Sequence, residues 1–73
     1  MQTYTINSAK ELEKYKDNDG YHIKGNAEFN YSADFEGRLL VDGYLSIQAW
    51  EYIEAGGYIK AGGYIKADGY IKT

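Results

Sequence analysis

Cysteine and proline are both absent from this chain of 73 residues. Without cysteine there is no disulfide framework and no thiolate zinc site, so a chain this small must fold on its apolar core. The absence fits a reducing compartment, and no apolar run approaches the roughly 20 residues that cross a bilayer. The segment from Met1 to Ser8 is too polar for a signal peptide. We therefore expect a single-domain cytoplasmic protein.

Residues suited to catalysis are equally scarce. His22 is the only histidine, and with no cysteine it cannot contribute to a metal cluster of the usual spacing. No serine stands in a Gly-x-Ser-x-Gly setting, and the glycine pairs lack the Lys-Ser/Thr of a phosphate loop. Glu51 and Glu54 could act as an acid and a base, but a solvated acidic face explains them more simply. We predict no enzyme, no cofactor and no metal.

Charge is unevenly distributed along the chain. Four lysines balance four acids from Met1 to Gly25, whereas six acids from Asn26 to Tyr58 oppose only Arg38. Three lysines then outnumber Asp68 from Ile59 onward, so the three segments carry 0, −5 and +2, which gives the net charge of −3. An acidic middle argues against direct binding of nucleic acid, which needs clustered Lys and Arg. It is compatible with a basic protein partner.

The segment 1–22 predicts a short cap. Thr3–Ile6 alternates and is rich in β-formers, which predicts a strand. Ser8 and Glu11 form a capping box at the start of a helix from about Ala9 to Lys16. The following Asp-Asn-Asp-Gly stops the helix. A helix of about two turns is marginal alone and must pack on something.

A six-residue period governs the rest of the chain. Nine successive positions at this spacing carry large apolar residues: Ile23, Phe29, Phe35, Val41, Ile47, Ile53, Ile59, Ile65 and Ile71. A meander of hairpins with Gly-Gly turns would place Lys60 opposite Ile65, so neither face could be dry. In a parallel solenoid, isoleucine stacks on isoleucine and lysine faces water. The period therefore favours the solenoid.

Three six-residue faces give a triangular β-helix, in which one coil takes about eighteen residues. The segment 23–73 then forms just under three coils, capped by the segment 1–22, as one mainly β domain. Ile23 is expected to stack on Val41 and Ile59, Phe29 on Ile47 and Ile65, and Phe35 on Ile53 and Ile71. The glycine pairs are expected at corners that need a positive φ.

The run Gly37-Arg-Leu-Leu-Val-Asp-Gly43 and the repeated Gly-Tyr-Ile-Lys-Ala carry a resemblance. In periodicity they resemble the short-repeat β-helices of bactofilins, polymer-forming bacterial proteins with a right-handed triangular solenoid. The period is also similar to that of the left-handed hexapeptide-repeat proteins. Their motif has a small residue two before the aliphatic one, where this chain has Leu39, Leu45 and Glu51.

Aromatic residues recur at outward positions. Tyr52, Tyr58, Tyr64 and Tyr70 each precede an isoleucine, and alternation points them away from its side. With coils of the expected length, Tyr52 stacks on Tyr70, while Tyr44 and Trp50 share another phase on different faces. The rings either screen the corners or form a binding surface, since Tyr and Trp are enriched at interface centres.

Two functions remain open from the sequence. The first is a non-catalytic interaction module, because the final coil presents unpaired strand edges, which template pairing with another chain. We expect self-association there as a homodimer, with a polymer or a hetero-complex next. The predicted edge residues are Ile59, Ile65, Tyr70, Ile71 and Thr73.

The second function is a small acidic inhibitor of a basic nucleic-acid-handling protein. In size and charge the chain is similar to inhibitors that mobile elements encode, including the anti-CRISPR type. The contact surface would be acidic and aromatic. Its predicted residues are Asp34, Glu36, Asp42, Trp50, Glu51, Tyr52 and Glu54.

Overall fold

The computed structural model describes residues 1–73 as a three-sided stack of short parallel strands. One short helix, α1, spans Ala9–Leu12. The strands are β1 (Thr3–Ile6), β2 (Gly20–Ile23), β3 (Asn26–Phe29), β4 (Ala33–Phe35), β5 (Arg38–Val41), β6 (Leu45–Ile47), β7 (Ile53–Ala55), β8 (Ile59–Ala61), β9 (Ile65–Ala67) and β10 (Ile71–Lys72).

From β2 onward, every third strand joins the same sheet. The three sheets have the orders β1-β3-β6-β9, β2-β5-β8 and β4-β7-β10, and all their pairings are parallel. The predicted β-solenoid is therefore confirmed. Its first coil begins at Gly20, so the expected boundary between residues 22 and 23 falls inside β2, and β1 adds a further strand to one sheet.

Each coil face sends two residues inward and one between them outward. In β5, for example, Leu39 and Val41 are fully buried, whereas Leu40 between them is half-buried. This alternation follows from the two-residue repeat of a strand. One apolar core results, and its buried members are Ile6, Leu12, Tyr21, Ile23, Ala27, Phe29, Ala33, Leu39, Val41, Leu45, Ile47 and Ile53.

The coils are not all of one length. Ile23 pairs with Val41 and Ile53 with Ile71, each eighteen positions further along the chain, as expected. Leu39 instead pairs with Ile59, twenty positions away. The loop from Gln48 to Tyr52 supplies the two extra residues, because β7 starts eight positions after β6 whereas neighbouring inward pairs elsewhere are six apart.

This loop overturns three of the expected stacks. Val41 lies beside Ala61, Ile47 beside Ala67 and Phe35 beside Ala55. Each of the nine apolar positions belongs to a pair of inward-facing residues. Before the loop it is the second residue of its pair, and after the loop it is the first. The unbroken six-residue period of the sequence therefore hides a change of register. A shift of two residues keeps the same side chains facing inward, so the period shows no interruption at the loop.

The glycine pairs serve close packing and not the positive φ that was expected. Only Gly20 and Gly37 have positive φ among the glycines, at 146° and 87°. A Cβ on Gly57 would lie 2.9 Å from the Gly37 carbonyl carbon, and one on Gly62 would meet the Asp42 carbonyl oxygen. Glycine at these corners lets the backbone of one coil approach the coil below.

The N-terminal cap is close to its prediction. The Ser8 hydroxyl accepts a hydrogen bond from the Glu11 N–H at 3.2 Å, but the Glu11 carboxylate reaches back to Asn7 and not to Ser8. The helix is shorter than expected, because a 3-10 turn over Glu13–Tyr15 follows α1. No helix is long and apolar enough to span a bilayer. Leu12 is 3% exposed and packs over the core, so α1 covers the first coil.

Candidate functional site

The C-terminal end of the solenoid is a triangle of three strand edges. β8, β9 and β10 each terminate a sheet. Leu45 N–H donates to the Tyr64 carbonyl at 2.9 Å, so by parallel pairing the backbone N–H and C=O of the next residue, Ile65, point away from β6. The equivalent bonds to Tyr58 and Tyr70 orient Ile59 and Ile71 in the same way. Each side of the triangle thus exposes hydrogen-bonding groups.

The same end exposes part of the apolar core. Ile65 is 47% exposed, and Ile59 and Ile71 are half-buried, whereas Ile53 one coil below is fully covered. Ala61 and Ala67 are the second inward residues of β8 and β9 and are also half-buried. An apolar patch bounded by unpaired strand edges is a typical protein-binding surface.

A lysine stands at the outward position on each side of this end. Lys60 lies beside Leu40, Lys66 beside Ser46 and Lys72 beside Glu54 on the preceding strands. All three lysines are exposed. We call them the lysine ring. A strand added to any of the three edges would meet one lysine, so the ring influences which partner pairs there.

The predicted self-association residues meet at this end. Ile59, Ile65 and Ile71 occupy its three sides, and Thr73 follows β10. Tyr70 precedes β10 and lies flat on Tyr52, with ring centroids 4.9 Å apart. Its hydroxyl donates to Glu54 Oε1 at 3.1 Å. The pKa of Tyr70 lies above its ordinary value because packing removes water from the phenol and because Glu54 favours the protonated form.

The sequence predicts Tyr44 and Trp50 in one phase on different faces, but the structure places Tyr44 in the phase of Tyr64. Tyr44 stacks on Tyr64 with centroids 4.9 Å apart, and its hydroxyl donates to Glu28 Oε2 at 2.8 Å. Trp50 lies in the loop between β6 and β7, 94% exposed and with a φ of 70°. The change of register explains the difference, since the longer coil brings Tyr64 over Tyr44.

The predicted acidic and aromatic residues do not form one surface. Asp34 and Glu54 are directly opposite each other on β4 and β7, with Glu36, Glu51 and Tyr52 at the adjoining turns. Asp42 lies on another side of the coil, where it pairs with His22 Nε2 at 2.8 Å. Trp50 stands alone on its loop. The sheet of β4, β7 and β10 therefore holds most of the predicted acidic surface.

Sequence reasoning missed a groove at the opposite end of this sheet. It has a volume of about 660 Å³ and separates β4 from the segment 9–19. Apolar side chains of Leu12, Tyr21, Tyr31 and Phe35 line it, with acids on both rims. Only the position of α1 above the first coil creates the groove, and no local pattern in the sequence reports that position.

His22 and Ser32 make polar contacts within the fold. The His22–Asp42 pair has no nucleophile bonded to it, and no group of three or more His, Cys, Asp or Glu side chains could hold a metal ion. Ser32 donates to Glu51 Oε2 at 2.6 Å and accepts from the Tyr52 N–H, so it fastens a turn. The contacts that these polar side chains make within the fold therefore explain their positions.

The class of this protein is defined by its fold, because comparison with known proteins gives no match. No protein-family model, no curated protein and no solved structure matches the chain. The strand order and register place it in the class of parallel β-solenoids. In this chain the three sheets end at β8, β9 and β10, and helix α1 lies over the first coil.

Proposed function

We propose that this chain is a non-catalytic interaction module that binds a second copy of itself through the open C-terminal end. The observation that carries the proposal is the set of outward N–H and C=O groups on Ile59, Ile65 and Ile71 beside exposed core. Edge strands of this kind pair with strands of another chain, and burial of the isoleucines adds apolar stabilisation.

A second copy is the occupant that fits the shape. A partner must offer three strand edges at the same triangular spacing, and the same end of another copy does so. A twofold axis across the junction pairs the edges antiparallel. The resemblance to polymer-forming bactofilins supports an end-to-end contact. Helix α1 and Leu12 lie over the core at the N-terminal end, which leaves no room there for a whole coil of a second copy, so a closed dimer is favoured over a polymer.

Sedimentation of the 73-residue chain across micromolar concentrations tests this function. We expect a dimer that Ile65→Lys converts to a monomer without loss of β-structure, because Ile65 is 47% exposed and touches only the edge of the core. Thr5→Lys adds the same charge at the other end and is the matched control. A folded monomer at every concentration, or a dimer that Ile65→Lys leaves intact, would overturn the proposal.

A second candidate is the acidic inhibitor of a basic nucleic-acid-handling protein, of the anti-CRISPR type. It is supported by the adjacent carboxylates of Asp34 and Glu54, which lie opposite each other with Glu36 nearby. Reversing these three charges should weaken binding to a cationic nuclease and reduce its salt dependence. Asp42→Lys is the control, since Asp42 lies on another side. Binding that ignores both salt and the triple reversal would eliminate this candidate.

A further inference from the structure

The free edge of β4 is the starting point for a second binding site. Ala33 N–H donates to the Tyr52 carbonyl at 2.9 Å, and the Phe35 carbonyl accepts from Gly56 N–H at 2.9 Å. Parallel pairing therefore directs the N–H and C=O of the residue between them, Asp34, to the other side of the strand. No strand lies there, because β4 ends its sheet. These two groups point toward the groove beneath α1.

The groove has the dimensions and lining of a peptide site. Its volume of about 660 Å³ lies in the usual range for ligand pockets. Ala33 and Phe35 turn inward, and Tyr21 meets Phe35 edge-on with ring centroids 5.0 Å apart. Tyr31 and Leu12 complete an apolar floor between the strand and the helix. A strand laid along β4 would place alternate side chains on this floor.

Charge determines what the middle residue of that strand should be. The outward column of the sheet runs Asp34, Glu54, Lys72, so two carboxylates are direct neighbours and only the second has a lysine beside it. Like charges directly opposite each other destabilise a sheet. A Lys or Arg beside Asp34, on a strand added to the free edge of β4, would place one cation at each end of this column of side chains.

The rims of the groove carry more negative charge. Glu13 and Asp19 line one side, and Glu36 lines the other. The two ion pairs of the protein are His22–Asp42 and Arg38–Asp17, so none of these rim acids is neutralised by a Lys or Arg within salt-bridge distance. Lys16 is the one lysine in the lining. A cationic segment is therefore favoured over an acidic one.

We infer that the groove between α1 and β4 binds an extended segment of a partner protein by strand addition, with an apolar–basic–apolar alternation. The basic residue lies beside Asp34, and the flanking apolar residues rest on Tyr31 and Phe35. This site lies at the other end of the coil stack from the proposed dimer contact and does not depend on it. It gives the acidic-inhibitor candidate a specific place to hold a basic protein.

The test uses short synthetic peptides and the full chain. A capped Ser-Val-Arg-Val-Ser peptide is titrated while backbone amide NMR signals are followed, with Ser-Val-Glu-Val-Ser and Ser-Ser-Arg-Ser-Ser as matched peptides. We expect saturable shifts at Asp34 and along the segment 9–19 for the first peptide alone. Asp34→Asn should weaken its binding by between about 1.4-fold and fivefold, the range of one cross-strand charge pair.

Asp68→Asn is the control for the loss of one negative charge, because Asp68 lies in the turn between β9 and β10. It should leave the affinity unchanged. Shifts confined to the last coil, equal binding of the glutamate peptide, or no saturable shift at Asp34 would each overturn the site. A basic protein that binds elsewhere on the acidic sheet would leave these amides unmoved, so that outcome is separable from failure of the inhibitor candidate.

Discussion

Tyr44 and Tyr64 lie face to face with ring centroids 4.9 Å apart and an interplanar angle of 2°, although they are twenty positions apart in the chain. Tyr52 and Tyr70 form the same stack at the same distance, yet only eighteen positions separate them. The difference arises because one coil contains the longer loop after β6 and the other does not. Stacking is thus set by the strand register, which forces equivalent positions together whatever the length of the intervening corner.

Core and surface positions should differ sharply at neighbouring residues. Ile53 is fully buried, so Ile53→Asp should lower the free energy of unfolding by about 3 kcal/mol or more. Glu54→Lys, one residue later and facing outward, should change it by no more than about 0.5 kcal/mol. Urea unfolding of both variants checks this. Similar midpoints would contradict the register.

Trp50 should be replaceable with a gain in stability. Its φ of 70° is unfavourable for a residue with a Cβ, and its ring is 94% exposed, so it contributes little burial. Trp50→Gly should raise the free energy of unfolding by about 1 kcal/mol, and Trp50→Val should lower it because a branched Cβ fits this region worse. Thermal and urea unfolding measure both. A loss of stability in Trp50→Gly would indicate that the indole makes contacts the fold needs.

Alkaline pH should destabilise the last coil through Tyr70. Its pKa is raised in the folded chain by loss of water around the phenol and by Glu54. The neutral phenol therefore stabilises the fold below the unfolded pKa of about 10, and this contribution is lost as pH rises through the folded value. Tyrosinate absorbance of the wild type minus that of Tyr70→Phe isolates this group. Titration of Tyr70 at or below the ordinary value would refute the prediction.

The lysine ring should weaken the proposed homodimer. It should also favour a heterodimer with a copy in which the three lysines are replaced by glutamates. A twofold contact places Lys60, Lys66 and Lys72 against lysines of the other copy, which repel in a sheet. Added salt should therefore tighten self-association of the wild type. Mixing it with the triple variant Lys60→Glu, Lys66→Glu, Lys72→Glu should give a heterodimer tighter than either homodimer. Sedimentation of the mixture and of each chain alone provides the comparison, and equal affinities would exclude this end as the contact.

The sequence by itself determined the class of fold. Isoleucine at every sixth position cannot form a dry face in a hairpin meander, so Ile53, Ile59 and Ile65 required parallel coils. The N-terminal cap was equally local, because Ser8 and Glu11 are close enough along the chain for one hydrogen bond to report the start of the helix. Such features follow from interactions between near neighbours.

Only the tertiary structure decided the register and the sites. The two extra residues near Trp50 leave every inward residue facing inward, so the six-residue period of the sequence continues unbroken. Ile59 nevertheless pairs with Leu39 and not with the expected Val41. The groove at Asp34 depends on where α1 lies over the first coil, a placement made by Leu12 packing among residues distant in sequence. Contacts of that kind are set by how whole coils stack, and no periodicity within one strand encodes them.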